Sequence, residues 1–301
     1  MKTAKKIQAF IEYAALLGAA ALFRWLPLPL ATLLAVGVGW LASNVLQIRR
    51  KVALDNLGQA FPAMTKGELE VLYRRVWRHF ARVAAELARL PRMMNGQLKQ
   101  MIDDEEVTIV RELVARGKGI IFVSGHLGNW EWLGALTSSS GIPMTYVVAG
   151  QTNRLVERWL ERMRTTAGVE IVNRRDPARA ILTALKRGRI VAMLSDQDAG
   201  PAGVFVRFFD RPASTPRGPA LFHLRTGAPL LFGGCTRRTN GRYKIAFEEI
   251  VPSGITGDNS VDERIIMQEA AARLEREIRI YPDQYFWLHR RWKTKPPVGE
   301  Y

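Results

Sequence analysis

The chain predicts an α/β fold: a mixed, mostly parallel sheet with helices on both faces, preceded by an N-terminal hydrophobic membrane-anchor helix or hairpin. Three observations carry that expectation. From residue 105 onward, short apolar runs alternate with helical patterns, as strands joined by crossover helices do. Runs such as Gly119-Ile-Ile-Phe-Val-Ser124 have the length and composition of a buried strand. At the front, Trp25 to Ile48 runs 24 residues without a charge, enough to cross about 30 Å of hydrocarbon.

The elements follow in order. After Lys2, Lys5 and Lys6, residues 7 to 23 are apolar apart from Gln8 and Glu12, Arg24 interrupts, and Arg49-Arg50-Lys51 closes the apolar region. Basic clusters at both ends leave a single span and a hairpin open, with Pro27 and Pro29 where a hairpin would turn. The excess of Lys and Arg places 49–51, and all that follows, on the cytoplasmic side. The apolar region is too long for a cleavable signal peptide. Residues 1–51 are thus read as an anchor and 52–301 as one folded domain. Lys66 to Leu90 is a helix, with Leu69, Leu72, Val76, Phe80, Val83 and Leu87 at three- and four-residue intervals and Arg74, Arg75, Arg78 and Arg82 on another face.

A helix to about Arg116 then leads into strand 119–124, and the turn at His126 opens the next helix. Strand 144–149, helix 154–166, strand 169–172, helix 177–187 and strand 190–194 follow. Strand 204–209, a helix from about Arg217, strands 230–235 and 243–250 and a helix over 261–280 complete the pattern.

With 301 residues and a net charge of +16, the chain can bury a sizeable core and calls for an anionic partner. Nucleic acid, anionic lipid and an acidic protein all satisfy that charge. The single cysteine, Cys235, excludes an intramolecular disulfide framework and any multi-Cys metal site.

Ser-Gly-His126-Leu-Gly-Asn-Trp-Glu131 carries the chemistry. A His and a carboxylate at a strand-to-helix turn, framed by Gly125 and Gly128, form a general base with an orienting partner. Positions five apart on a regular helix lie about 140° from one another. The two therefore meet only if His126 lies in the turn and Glu131 in the first helical turns. The helix dipole there would favour a neutral imidazole, and the backbone N–H groups could bind a negative charge. A second polar cluster, Ser195-Asp196-Gln197-Asp198-Ala199-Gly200, follows another strand, and sites in such sheets form beyond the carboxyl ends of strands. Taken alone, it reads as a tight turn.

Together these motifs resemble the lipid A biosynthesis (late) acyltransferases. The resemblance covers most of the chain: the apolar anchor, Asn56-Leu57 with Phe61-Pro62, Gly125 to Glu131, and Asp196 to Gly200. It continues through Val204 to Phe209 with Ala213-Ser-Thr215 and Gly218, and the tail Gln284 to Lys293. Order and spacing make the set specific.

The resemblance implies transfer of a fatty acyl chain from acyl carrier protein to a hydroxyl of a lipid A precursor, at a bacterial inner membrane, with the catalytic domain on the cytoplasmic side. The family's His-x4-acidic pair falls on His126 and Glu131. Arg164, or backbone N–H groups after His126, would face the oxyanion, and Asp196 would position a donor or substrate. Gly128 and Asn129 would contact substrate, and Arg290 and Arg291 would engage phosphate. Trp130, Trp132 and Met193 would line an acyl channel or pack the core. No metal or other cofactor is expected, and no nucleic acid. Two alternatives stay open: the same chemistry on another glycolipid, such as a mannosylated phosphatidylinositol, and a non-catalytic membrane-tethered protein that binds anionic lipid.

Overall fold

A computed structural model describes residues 2–94, 96–105, 108–172 and 176–297. Two apolar helices lead: α1 (Lys2–Trp25) and α2 (Leu28–Trp40), the second extended by a π-helical turn over Leu41–Val45. Helix α3 (Arg50–Ala60) precedes α4 (Lys66–Met93), whose start is fixed by a reciprocal Thr65–Glu68 capping box. Its apolar stripe is buried at Leu72, Val76, Phe80 and Val83. The helix runs beyond Leu90 to Met93, with Pro91 inside its last turn.

A short α5 (Gln97–Gln100) and strand β1 (Ile102–Glu105) follow, then α6 (Thr108–Ala115), β2 (Ile120–Ser124), α7 (Trp130–Ser139) and β3 (Met144–Tyr146). The helix expected to begin at residue 105 is α6. Residues 106 and 107 lie outside the described set, and 102–105 form a strand instead. Next come α8 (Arg154–Thr166), β4 (Glu170–Ile171), α9 (Pro177–Lys186) and β5 (Ile190–Leu194). Strands β6 (Val204–Phe208) and β7 (Arg211–Thr215) form a separate hairpin, and α10 (Gly218–Thr226), β8 (Leu230–Arg237), β9 (Tyr243–Ile250) and α11 (Asn259–Ile280) complete the order.

The main sheet has the order β1-β9-β8-β2-β5-β3-β4. All its pairings are parallel except β8 with β9, so the sheet is mixed and mostly parallel, as expected. β2 is buried along its whole length because alternate residues face different cores. Ile121 and Val123 pack with side chains of α9, α10 and α11, whereas Ile120 and Phe122 pack with those of α6 and α7. Helices therefore cover both faces.

The position of the site follows from one register. β2 and β5 are neighbours with Ser124 opposite Leu194, so both strands end at the same level. The turn after each emerges side by side, with Ser195 N–H donating to the Ser124 carbonyl at 2.9 Å.

Candidate active site

The His126 turn is held by backbone bonds. Gly125 lies so close to Leu274 and Asp196 that an added Cβ would stand 2.7 Å from a Leu274 methyl carbon. Gly128 adopts φ +63° with the Cys235 carbonyl 2.0 Å from where a Cβ would be, so no other residue fits there. Leu127 N–H donates to the Gly125 carbonyl, Gly128 N–H to that of Gln284 and Asn129 N–H to that of Cys235, at 2.8–2.9 Å. These three N–H groups, expected as oxyanion donors, are therefore spent on fixing the turn. Asn129 is wholly buried: its side chain caps α7 by accepting from Trp132 N–H and donates to Glu86. Gly128 and Asn129 thus shape the turn, and the expectation that they contact substrate is replaced by a positioning role.

The histidine's partner is Asp196. Its Oδ1 lies 2.8 Å from His126 Nδ1, and its Oδ2 accepts from the His126 backbone N–H at 2.9 Å. The carboxylate is fully buried, while the imidazole keeps 23% of its side-chain surface. Glu131, expected in this role, turns the other way. Its carboxylate receives Arg164 in a forked contact, Nε at 3.0 Å and Nη2 at 2.6 Å, together with the Trp130 indole N–H at 3.2 Å. The geometry separates two carboxylates into two tasks: Asp196 orients the His126 imidazole, and Glu131 the Arg164 guanidinium.

Electrostatics follow the same division. Burial disfavours the charged imidazolium, but the Asp196 carboxylate outweighs it through charge and hydrogen bonding, with Glu131 adding and Arg164 opposing. The His126 pKa therefore lies above its usual 6.5, not below it as the helix dipole alone suggested. Burial would raise the Asp196 pKa, yet His126 holds that carboxyl below the usual carboxylate range. With Nδ1–H committed to Asp196, Nε2 is the nitrogen left to accept a proton.

His126 and Arg164 line one cavity of about 370 Å³. Its walls are mostly apolar, including Phe122, Leu133, Met144, Val147 and Leu194, with Gln197 and Asp198 among the polar groups. Trp130 stands at this wall, its ring centroid 4.9 Å from that of His126. Trp132 and Met193 are core residues: Trp132 is wholly buried against Tyr243, and Met193 packs with α11 side chains.

Arg291 is also core. It is 1% exposed and donates to the Ser214 carbonyl at 2.6 Å and to Thr215 Oγ1 at 2.7 Å, which removes it from any phosphate. Arg291→Ala is expected to cost about 1–3 kcal/mol by leaving the Ser214 carbonyl buried without a donor. A thermal melt checks this, and an unchanged Tm would contradict the core assignment. Arg290 is exposed beside a different hollow of about 270 Å³, shared with Lys51 and Lys293.

Sequence reading missed the support behind the turn. Glu86 of α4 accepts from Asn129, Tyr243 and Arg237, and His79 Nε2 lies 3.1 Å from the Gly128 carbonyl. Burial, with Arg237 nearby, drives the His79 pKa down to about 3, so it stays a neutral donor. A carboxylate and a histidine on the apolar side of an otherwise regular helix were the available signal. The tail joins in as well: Asn56 donates to the carbonyls of Trp287 and His289, and Asp198 accepts from Thr294 N–H and Oγ1.

Residues 1–294 match the bacterial lipid A biosynthesis acyltransferase family. The lipid A biosynthesis palmitoleoyltransferase of Escherichia coli K12 is 27% identical over 292 residues, covering 94% of this chain and 92% of the relative. The lauroyltransferase of the same organism is 28% identical over 283 residues, 90% and 88% of the two chains. A phosphatidylinositol mannoside acyltransferase of Mycolicibacterium smegmatis is 26% identical over 224 residues, 73% of this chain and 69% of that one. The match spans the apolar helices, both strand-end turns and the tail that ties them together, and the chain accordingly belongs to the bacterial lipid A biosynthesis acyltransferase family.

Proposed function

We propose that the protein moves a fatty acyl chain from acyl carrier protein to a hydroxyl of a lipid A precursor, with His126 as general base. One observation carries the reading: a histidine held by a buried carboxylate at the wall of a largely apolar cavity. The acceptor hydroxyl gives its proton to His126 Nε2 as its oxygen attacks the thioester carbonyl carbon. Asp196 keeps the ring in the tautomer that can accept, and stabilises the imidazolium once formed. The carbonyl oxygen becomes an oxyanion, and Arg164, fixed by Glu131, supplies the facing positive charge. The C–S bond then breaks, and the leaving thiolate recovers the proton from His126.

In this reading residues 1–51 are the anchor and 52–301 the catalytic domain, which works at the cytoplasmic face of the inner membrane. Acyl carrier proteins are acidic and lipid A precursors carry phosphates, so a chain of net charge +16 attracts both. Similarity to a phosphatidylinositol mannoside acyltransferase supports a second acceptor class with unchanged chemistry. A tethered lipid-binding protein would have no use for the buried Asp196 behind His126.

The test offers purified protein acyl carrier protein thioesters and a panel of a lipid A precursor and a mannosylated phosphatidylinositol. Transfer to the first is expected; transfer only to the second would move the acceptor and keep the mechanism, and transfer to neither would remove the proposal.

The pH profile checks the base. Only unprotonated His126 can take a proton, so kcat/KM is expected to rise with pH through a midpoint above 6.5. Because the folded pKa of His126 is raised, its contribution to stability fades as pH rises past the folded value; because that of Asp196 is lowered, the pair's contribution is lost again in acid, below the usual carboxylate range. A midpoint below 6.5 would contradict the charge balance.

A further inference from the structure

Both leading helices are long and apolar enough to cross a membrane, yet each is fastened lengthwise to the folded body. Near the start of α1, Asn153 at the head of α8 donates to the Ala9 carbonyl at 2.9 Å and to Glu12 at 3.0 Å. Near its end, Arg89 of α4 donates to the carbonyls of Phe23 and Leu26, and Arg92 to that of Arg24. Between these staples Tyr13, Leu16, Ala20 and Phe23 pack against Ala88, Trp159 and Met163. α8 thus runs beside α1 for most of its own 13 residues, with Arg154, Arg158 and Arg162 exposed at four-residue spacing.

Length decides the topology. Only residues 2–8 extend past the first staple, about 10 Å of helix at 1.5 Å per residue, against about 30 Å of hydrocarbon. For α1 to cross, the arginines of α8 would have to enter the bilayer with it, at several kcal/mol each. α2 is held in the same way. Ala31, Ala35 and Gly39 are buried, and Gly39 is so close to α4 that a Cβ would stand 2.8 Å from the Trp77 carbonyl oxygen and 2.9 Å from the Arg78 Cα. Arg78 is exposed and would be drawn to the middle of the membrane.

We propose that α1 and α2 form an in-plane platform sunk into one anionic leaflet, and that neither crosses the bilayer. The inference rests on the membrane association stated above and adds its geometry. The faces turned from the body are apolar, with Phe10, Ile11, Leu33 and Trp40 all more than half exposed. Lys5, Lys6 and the α8 arginines flank α1 and meet lipid phosphates at the headgroup level. The cavity lies beside this platform: Gln151 lines it two residues before the Asn153 staple. A lipid acceptor therefore reaches His126 without leaving its leaflet.

The experiment uses the full chain in sealed right-side-out and inverted membrane vesicles from expressing cells, with Lys6→Cys, Trp25→Cys, Arg49→Cys and Leu17→Cys made singly. Native Cys235 is buried, and the parent protein is its control. A membrane-impermeant maleimide is expected to reach Lys6→Cys and Arg49→Cys from one and the same face, and Trp25→Cys never from the other. A fluorophore on Leu17→Cys is expected to be quenched by spin labels near the lipid headgroups more than by labels at chain ends. Labelling of Trp25→Cys or Lys6→Cys from the opposite face, or stronger quenching at the midplane, overturns the platform. Absence of the protein from the membrane fraction overturns the membrane association itself.

Discussion

Asp196→Asn is expected to lower kcat by about 10⁴-fold, the loss that follows when a carboxylate that sets a catalytic tautomer becomes an amide. The size of the effect follows from how both carboxylate oxygens are used. One accepts from the His126 backbone N–H and the other from Nδ1. An amide has one acceptor oxygen and one NH₂ group. The backbone N–H always carries its proton, so the amide oxygen must turn to it and the NH₂ to Nδ1. Nδ1 then becomes an acceptor, the ring proton moves to Nε2, and the base arrives already protonated. Glu131→Gln leaves the His126–Asp196 pair in place, loosens Arg164 and removes a minor contribution to the His126 pKa, so its loss should be smaller. Steady-state kinetics of the two variants decide it: a larger loss for Glu131→Gln would return the orienting role to Glu131. Asp196→Asn should also move the rising limb of the pH profile downward, because the carboxylate is the main group that raises the His126 pKa.

His126→Ala is expected to remove transfer by at least about 10²–10⁴-fold, the usual share of a positioned base. The fold should survive. The ring is partly exposed and makes an edge contact with Trp130, while the turn is held by backbone hydrogen bonds that the substitution leaves in place. Asp196 keeps the backbone N–H but loses Nδ1, so some stability should be lost, about 1–3 kcal/mol. A thermal melt beside the activity assay separates the effects. Near-normal transfer from a folded variant would end the role of His126 as base.

Much of this was legible from residues alone, for physical reasons that differ by element. β2 and β5 could be read because strands buried on both faces are apolar throughout. α8 could be read to the residue, since the helix expected over 154–166 has those bounds in the structure, where Asn153 caps it. β1 could not: Ile102-Asp-Asp-Glu is too polar to look like a strand, and it pairs only at the sheet edge, with β9. Nor could β7, because the two-residue turn before it is Phe209-Asp210, both with positive φ, where Asn-Gly would be the usual signal. Phe209 is held there by Phe61 and Trp287, with Glu275 accepting from its N–H, all distant in sequence.

The site shows the same division. His126 and its glycine-framed turn are local, so spacing exposed them. The choice between Glu131 and Asp196 is not local. Asp196 lies 70 residues away and reaches His126 only because β2 and β5 pair in register. Glu131 is drawn off by Arg164, 33 residues on, a pairing that spacing does not encode. Arg291 looked like part of a solvated basic tail and became a core residue because Ser214 and Thr215 needed a donor.

The most direct test is transfer of a labelled acyl chain from acyl carrier protein to a purified lipid A precursor, with wild type and His126→Ala side by side. The predicted result is labelled, esterified lipid from the wild type and loss of that product in a variant that melts as a folded protein. Equal product from both, or none from the wild type, would contradict a lipid A acyltransferase that works through His126.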